Sequence, residues 1–129
     1  MQDKEKIIIN DYINNDPLSE ENLNETLEYV NKFRLSCPNK TIWLYTGFSF
    51  SEFFIYDKQI QNNPQYLRKD VMELYLKRQS IVKQCDILID GRYIESQSNP
   101  SLRWRGSSNQ RVIDIQESLK QNKIVLHCD

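Results

Sequence analysis

The chain carries one histidine, His127, third from the end of a sequence of 129 residues. A histidine-based triad or a multi-histidine metal site is therefore disfavoured. Its three cysteines, Cys37, Cys85 and Cys128, lie 48 and 43 residues apart. No CxxC or CxxxC pair exists, so no local cluster or zinc motif is written in the chain. An odd count at this spacing, with no signal-peptide core in MQDKEKIIIN, reads as reduced intracellular thiols and a cytoplasmic protein. No apolar run approaches the ~18–20 residues that a membrane helix needs. Alanine is missing altogether while Asn and Gln total 22, a sign of base composition in the coding DNA. A net charge of −1 gives no overall reason to bind nucleic acid. There is no internal repeat, linker or low-complexity tract.

What is present suffices for a core. Leu, Ile, Val and Phe make 36 residues, above the level at which disorder is expected. Ile7–Ile9 is a short apolar run typical of a buried strand. Asn10–Asp16 is rich in turn formers and Pro17 closes it. Ser19 is placed as a helix N-cap, and Leu23, Leu27, Val30 and Phe33 recur on one helical face. Pro38 and Asn39 end that helix. Thr41–Thr46 is β-branched and aromatic and stops at Gly47, a strand by composition. Ser49–Tyr56 reads as a short helix, and Asn62-Asn63-Pro64 as a break. Leu67, Val71, Leu74 and Tyr75 mark the apolar face of a second helix. Ile87–Ile89 is a third strand, stopped by Asp90-Gly91. Arg111–Ile115 reads as a strand, Glu117–Gln121 as one helical turn and Ile124–Leu126 as a terminal strand.

Strand, helix, strand, helix, strand is the pattern of βαβ units on a parallel sheet, so the chain is expected to form one α/β domain over 1–129. In such sheets ligands sit beyond the carboxyl ends of the strands. Those ends are Asn14-Asn15-Asp16-Pro17, Thr46-Gly47 and Asp90-Gly91. Converging on one edge, Asp16, Asp90 and Thr46 could hold an ammonium or a small cation; the alternative is plain turn chemistry. Segment 92–111 holds four arginines against one glutamate, while residues 1–35 hold eight acids and four bases. A basic loop bearing Trp104 can stack on a nucleotide or phosphate, or pair with acids of its own domain; four arginines alone do not make a nucleic-acid interface.

The run Ser101-Leu-Arg-Trp-Arg-Gly-Ser-Ser-Asn-Gln-Arg-Val-Ile-Asp114 resembles the C-terminal signature of the activating proteins of anaerobic (class III) ribonucleotide reductase. These are radical S-adenosylmethionine (SAM) proteins that generate a glycyl radical. Ile42-Trp-Leu-Tyr-Thr-Gly47-Phe48 is similar to that family's IW-x-x-TGY strand end. Asp86-Ile-Leu-Ile-Asp90-Gly91-Arg-Tyr93 is similar to its D-x-L-x-DG-x-F segment, and Asn14-Asn15-Asp16-Pro17-Leu18 stands in the place of its GGDPL motif. The resemblance implies a truncated radical-SAM-type βα barrel equivalent to the C-terminal two thirds of an activase. It implies a SAM region at Asn14, Asn15, Asp16, Thr46 and Asp90, and the large subunit of the reductase as partner. The family's [4Fe–4S] cluster is held by a CxxxCxxC motif that this chain does not contain, and Asn14-Asn15 replace its glycine pair. The chain alone is therefore expected to be inactive, with no catalytic or metal-ligating residue assigned. Its alternatives are a non-catalytic reductase-interacting protein or one piece of a split activase. An edge strand at Ile7–Ile9 is expected to favour self-association. Trp104 is expected to anchor the Arg103–Asn109 segment, which either locks the sheet end or faces the reductase.

Overall fold

The computed structural model describes residues 5–54, 62, 64 and 68–127. Leu67, Tyr56 and Cys128, assigned above to a helix face, a short helix and a free thiol, lie outside the described residues. Four strands, β1 (Lys6–Ile8), β2 (Thr41–Tyr45), β3 (Ile87–Asp90) and β4 (Arg111–Asp114), form one sheet in the order β1-β2-β3-β4. Helices α1 (Leu23–Ser36), α2 (Lys69–Lys83) and α3 (Ile115–Gln121) complete the α/β fold.

The first three strands are parallel, with Ile8 opposite Trp43 and Trp43 opposite Ile87. The fourth is antiparallel, so the sheet is mixed and not the wholly parallel progression expected from the strand–helix order. The reason lies in the connection. β3 ends at Asp90 and β4 begins directly opposite it at Arg111, so the chain leaves and re-enters at the same edge. An antiparallel neighbour needs no helical crossover, and residues 91–110 contain the 3-10 turn Glu95–Gln97 and an antiparallel bridge between Ser98 and Ser107.

Other differences are local. β1 ends one residue early, because Ile9–Asp11 coils into a 3-10 turn. Ser19 does not cap α1; a 3-10 turn at Glu20–Asn22 intervenes, and the Ser19 hydroxyl donates to the Asp16 carbonyl. The helix expected at Ser49–Tyr56 shows as the single turn Phe50–Glu52 with a Ser49/Glu52 capping box. The expected terminal strand is reduced to a bridge between Ile113 and Leu126. On either side of it the Asp114 amide donates to the Val125 carbonyl and the His127 amide to the Val112 carbonyl.

Side-chain alternation sends the two faces of the sheet into different surroundings. Ile42, Leu44, Leu88 and Ile113 point into a cluster with Leu23 and Val30 of α1, Ile81 and Val82 of α2, and Ile115 of α3. Thr26, fully buried on α1, satisfies its hydroxyl by donating to the Pro17 carbonyl at 2.7 Å. The opposite face carries Trp43, Ile87, Ile89 and Val112, packed by Ile8, Tyr45 and Trp104. Here the cover is the 91–110 loop and the chain end, not helices. Trp104 meets Trp43 edge-on at 5.3 Å between ring centres, and His127 packs against both. The Lys6 ammonium lies 4.3 Å from the Trp43 ring and 4.6 Å from Trp104.

Candidate ligand site at the carboxyl ends of the strands

The loop after β1 is built by polar side chains that act as backbone partners. Asn10 lies just past the strand, and its amide accepts from the Tyr45 N–H at 2.8 Å and donates to the Tyr45 carbonyl at 2.9 Å, extending the β1–β2 ladder through a side chain. Asn22 donates to the carbonyls of Asn14 and Asp16 at 2.8 and 2.9 Å, drawing the 14–16 segment onto the start of α1. Asn15 takes φ 66°, the left-handed region that glycine adopts freely and asparagine tolerates. Asparagine thus serves at a position whose backbone conformation glycine adopts most easily.

The outcome is that Asp16 reaches the end of β2. Its Oδ1 accepts from the Leu18 amide at 2.9 Å and from the Thr46 hydroxyl at 2.9 Å, and its Oδ2 accepts from the Gly47 amide at 2.8 Å. Thr46 is buried and its own oxygen accepts from the Phe48 amide. Asp16 itself is half-buried. A carboxylate has about four acceptor sites, so after three protein donors Asp16 retains capacity for one more. A Cβ at Gly47 would lie 3.5 Å from Asp16 Oδ2 and 3.4 Å from Arg92 Cγ, so the loops after β1, β2 and β3 do meet here.

Asp90 is differently placed. It is 2% exposed, accepts from the Phe50 amide at 2.9 Å, and is held in a two-point pair by Arg111 at 2.6 and 3.0 Å. That pair raises the Arg111 pKa, with the hydrogen bond to Asp90 as the leading cause. Asp90 therefore fixes the end of β3, and its charge is already matched. Of the five expected site residues, Asp16 and Thr46 are in contact, Asn14 and Asn15 are exposed on the adjoining loop, and Asp90 is buried behind them on the Phe50 amide. Asn10, Asn22 and Arg111 escaped sequence reasoning. Asn10 and Arg111 are lone polar residues whose partners lie 35 and 21 positions away, and Asn22 reaches back six to eight positions without any repeating pattern.

The two thiols among the described residues sit at the other end of the sheet. Cys37 follows α1 ahead of β2, and Cys85 precedes β3. Cys85 is fully buried; its thiol donates to the Ile81 carbonyl, and desolvation pushes its pKa up to about 12. A protonated, buried thiol is not a metal ligand. Among the described residues no group of three or more His, Cys, Asp or Glu could hold a metal ion. The described donor set thus does not fit an iron–sulfur cluster. The acceptor capacity left on Asp16 suits a hydrogen-bond donor such as an ammonium group. Among the described residues no helix is long and apolar enough to cross a membrane.

The family model of the 4Fe–4S single cluster domain matches residues 15–113, which include all three strand-end segments except Asn14. A protein of Vibrio cholerae named anaerobic ribonucleoside-triphosphate reductase-activating protein is 34% identical over 97 residues, 75% of this chain and 49% of that protein. Proteins of the same name in Escherichia coli K12 and Enterobacteria phage T4 are 32% and 30% identical over 75% of this chain, and 49% and 47% of their own lengths. The chain spans about half the length of the curated relatives it matches. No solved structure matches.

Proposed function

Because the chain belongs to the 4Fe–4S single cluster domain family, we propose that it serves in activating an anaerobic ribonucleoside-triphosphate reductase. The observation that carries this reading is the identity of 30–34% over three quarters of the chain to proteins of that name. The geometry supports a finer version. The strand-end site is the SAM region, with Asp16 and the backbone of Asn14 and Asn15 receiving the amino group. Thr46 and Gly47 hold the Asp16 carboxylate in place, and the Asp90–Arg111 pair sets the wall behind them. In this role the chain's residues bind and orient; SAM, when bound, supplies the deoxyadenosyl group for glycyl radical formation on the reductase. The setting is the cytoplasm, and the large subunit of the reductase is the partner.

No step is assigned to an iron–sulfur cluster, because the described residues do not provide its ligands. That observation favours a second reading, in which the chain contacts the reductase without performing the chemistry, or completes a site whose thiolates come from another polypeptide. Iron and sulfide analysis of anaerobically reconstituted protein separates the two. Absorption near 400 nm (roughly the region of thiolate-to-iron charge transfer), with SAM cleavage, would establish a catalytic chain; its absence with retained reductase binding would establish the docking role.

The SAM assignment has its own test. Equilibrium dialysis with SAM and with its deaminated analogue measures the ammonium contribution. The protein is expected to prefer SAM, and Asp16→Asn is expected to lose about tenfold in affinity for SAM and little for the analogue, the size of one charge-assisted hydrogen bond. Equal binding of both ligands by the unaltered chain would overturn the site.

A further inference from the structure

The loop between β3 and β4 holds Arg92, Arg103 and Arg105 with Glu95 as its one acid. Arginines elsewhere have duties in the fold. Arg34 pairs with Asp86, Arg68 with Asp70 and Arg111 with Asp90, while Arg78 donates to the Leu18 carbonyl and lies over Phe48. Among the described residues no carboxylate lies within ion-pair distance of the three loop arginines.

Two of the three are nevertheless held in place. The Arg103 guanidinium stacks 4.5 Å from the Trp104 ring, and Arg105 donates one N–H to the Gln110 carbonyl at 2.7 Å. Trp104, between them, has φ 65°, a left-handed conformation disfavoured for any side chain with a Cβ. The rest of the loop fixes that conformation. The Gln110 side chain accepts from the Gly106 and Ser107 amides and donates to the Gly91 carbonyl, and Ser107 is fully buried. The left-handed turn aims the Trp104 ring at Trp43 and leaves Arg103 and Arg105 on either side of it. Beside the arginines opens a cleft of about 390 Å³ with Leu102, Val112, Leu126 and His127 in its wall. Leu126 is 60% exposed there.

We propose that this cleft is the docking site for an acidic, apolar-anchored segment of the partner protein. A carboxylate is taken by Arg103 and Arg105, and an adjoining apolar side chain rests on Leu102 and Leu126. The inference rests on the reductase-activation reading and names the surface and chemistry through which that partner is engaged. Charge supports an acidic occupant. The chain is −1 overall, yet the loop is a locally positive surface, while residues 1–35 carry twice as many acids as bases. An acidic partner is drawn to the loop and repelled from the acidic N-terminal part, which fixes its orientation. Arginine heads already immobilised by stacking lose little freedom when a carboxylate arrives.

The test is a titration of the full chain with the anaerobic ribonucleotide reductase of the same organism, read by biolayer interferometry at two salt concentrations. Arg103→Ala is expected to weaken binding about tenfold and Arg103→Glu about a hundredfold, as for hot-spot arginines. Both should leave the melting temperature nearly unchanged, since Arg103 is exposed. Arg68→Ala, which removes the same charge outside the cleft, should stay within about twofold. Arg103→Lys keeps the charge and loses the planar fork, and it covers the case in which reversal disturbs the loop. It should bind severalfold more weakly and with native stability. An unaltered chain that binds the reductase while every Arg103 variant binds equally well would overturn the cleft and leave the partner reading standing. An unaltered chain that does not bind the reductase would remove both. Self-association relieved by Arg103→Glu would assign the cleft to a second copy and overturn the proposal.

Discussion

On one face of the sheet Ile42, Leu44, Leu88 and Ile113 lie under three helices; on the other Trp43, Ile87, Ile89 and Val112 lie under one loop and a chain end. Parallel strands must be covered on both sides, and here the two covers are made of different material. The helical cover is redundant and spread over many contacts, aliphatic at its centre with Tyr29 and Phe33 of α1 packed at its margin. The loop cover is concentrated in Trp104, whose ring touches Trp43, His127 and the Lys6 ammonium at once. A distributed cover tolerates local change away from its centre; a concentrated one depends on one side chain and on the strained backbone that aims it.

Truncation at the centre of each cover gives the sharpest contrast. Leu88→Ala, beneath the helices and fully buried, is expected to cost about 4 kcal/mol, within the span for emptied core positions. Urea unfolding measures it, and a loss below about 1 kcal/mol would mean the helical face is loosely packed. Trp104→Ala should cost about 2 kcal/mol, less than a fully buried aromatic because Trp104 is half-buried. Trp104→Gly separates packing from backbone. Glycine removes the same ring but relieves the left-handed strain, so it should be more stable than the alanine variant by about 1 kcal/mol. Equal stability of the two would show that the positive φ carries no strain.

The thiol beneath the helices gives the comparison a pH axis. The Cys85 pKa is raised from 9.0 to about 12 by burial. A thiol that titrates later in the folded than in the unfolded chain favours folding below pH 9. That contribution is then lost as pH rises through the window up to about 12. Each unit in that window removes up to about 1.4 kcal/mol, so stability of the unaltered chain should fall more steeply above about pH 9 than that of Cys85→Ala. Parallel curves would place Cys85 in contact with solvent. The smallest effect belongs to the loop. A Cβ at Gly106 would meet the Tyr93 ring at 3.0 Å, yet Tyr93 is 58% exposed and free to swing outward. Gly106→Ala should therefore cost less than about 1 kcal/mol by thermal melting. A larger loss would show Tyr93 to be a fixed part of the loop cover.

The same division explains what could be read from the chain. The helix-covered half was legible because its signals are periodic, with Leu23, Leu27 and Val30 recurring at helical spacing, and Ile87–Ile89, which feeds both faces, stood out as an uninterrupted apolar run. Thr46-Gly47 and Asn14–Asp16 meeting at one edge followed from the parallel order. The direction of β4 was not legible, because it depends on the 91–110 loop returning to the edge it left, and the loop's residues carry no repeating pattern. Nor were Asn10, Asn22 or Gln110, whose side-chain amides stand in for backbone partners. Asp86 shows the same limit: it accepts from the Ile42 amide and pairs with Arg34, tying the start of β3 to α1 across 52 positions.

The antiparallel pairing of β4 also bears on the order in which the molecule assembles. Asp90 and Arg111 are 21 positions apart, whereas Ile8 and Trp43 are 35 apart and Trp43 and Ile87 are 44 apart. Closing a loop of half the length saves about 0.6 kcal/mol of chain entropy. The β3–β4 pair is therefore expected to form most readily, with the parallel strands joining it afterwards. In that order the segment that presents the arginines would be closed early, so substitutions at Val112 or Ile89 should slow folding while those in β1 mainly hasten unfolding.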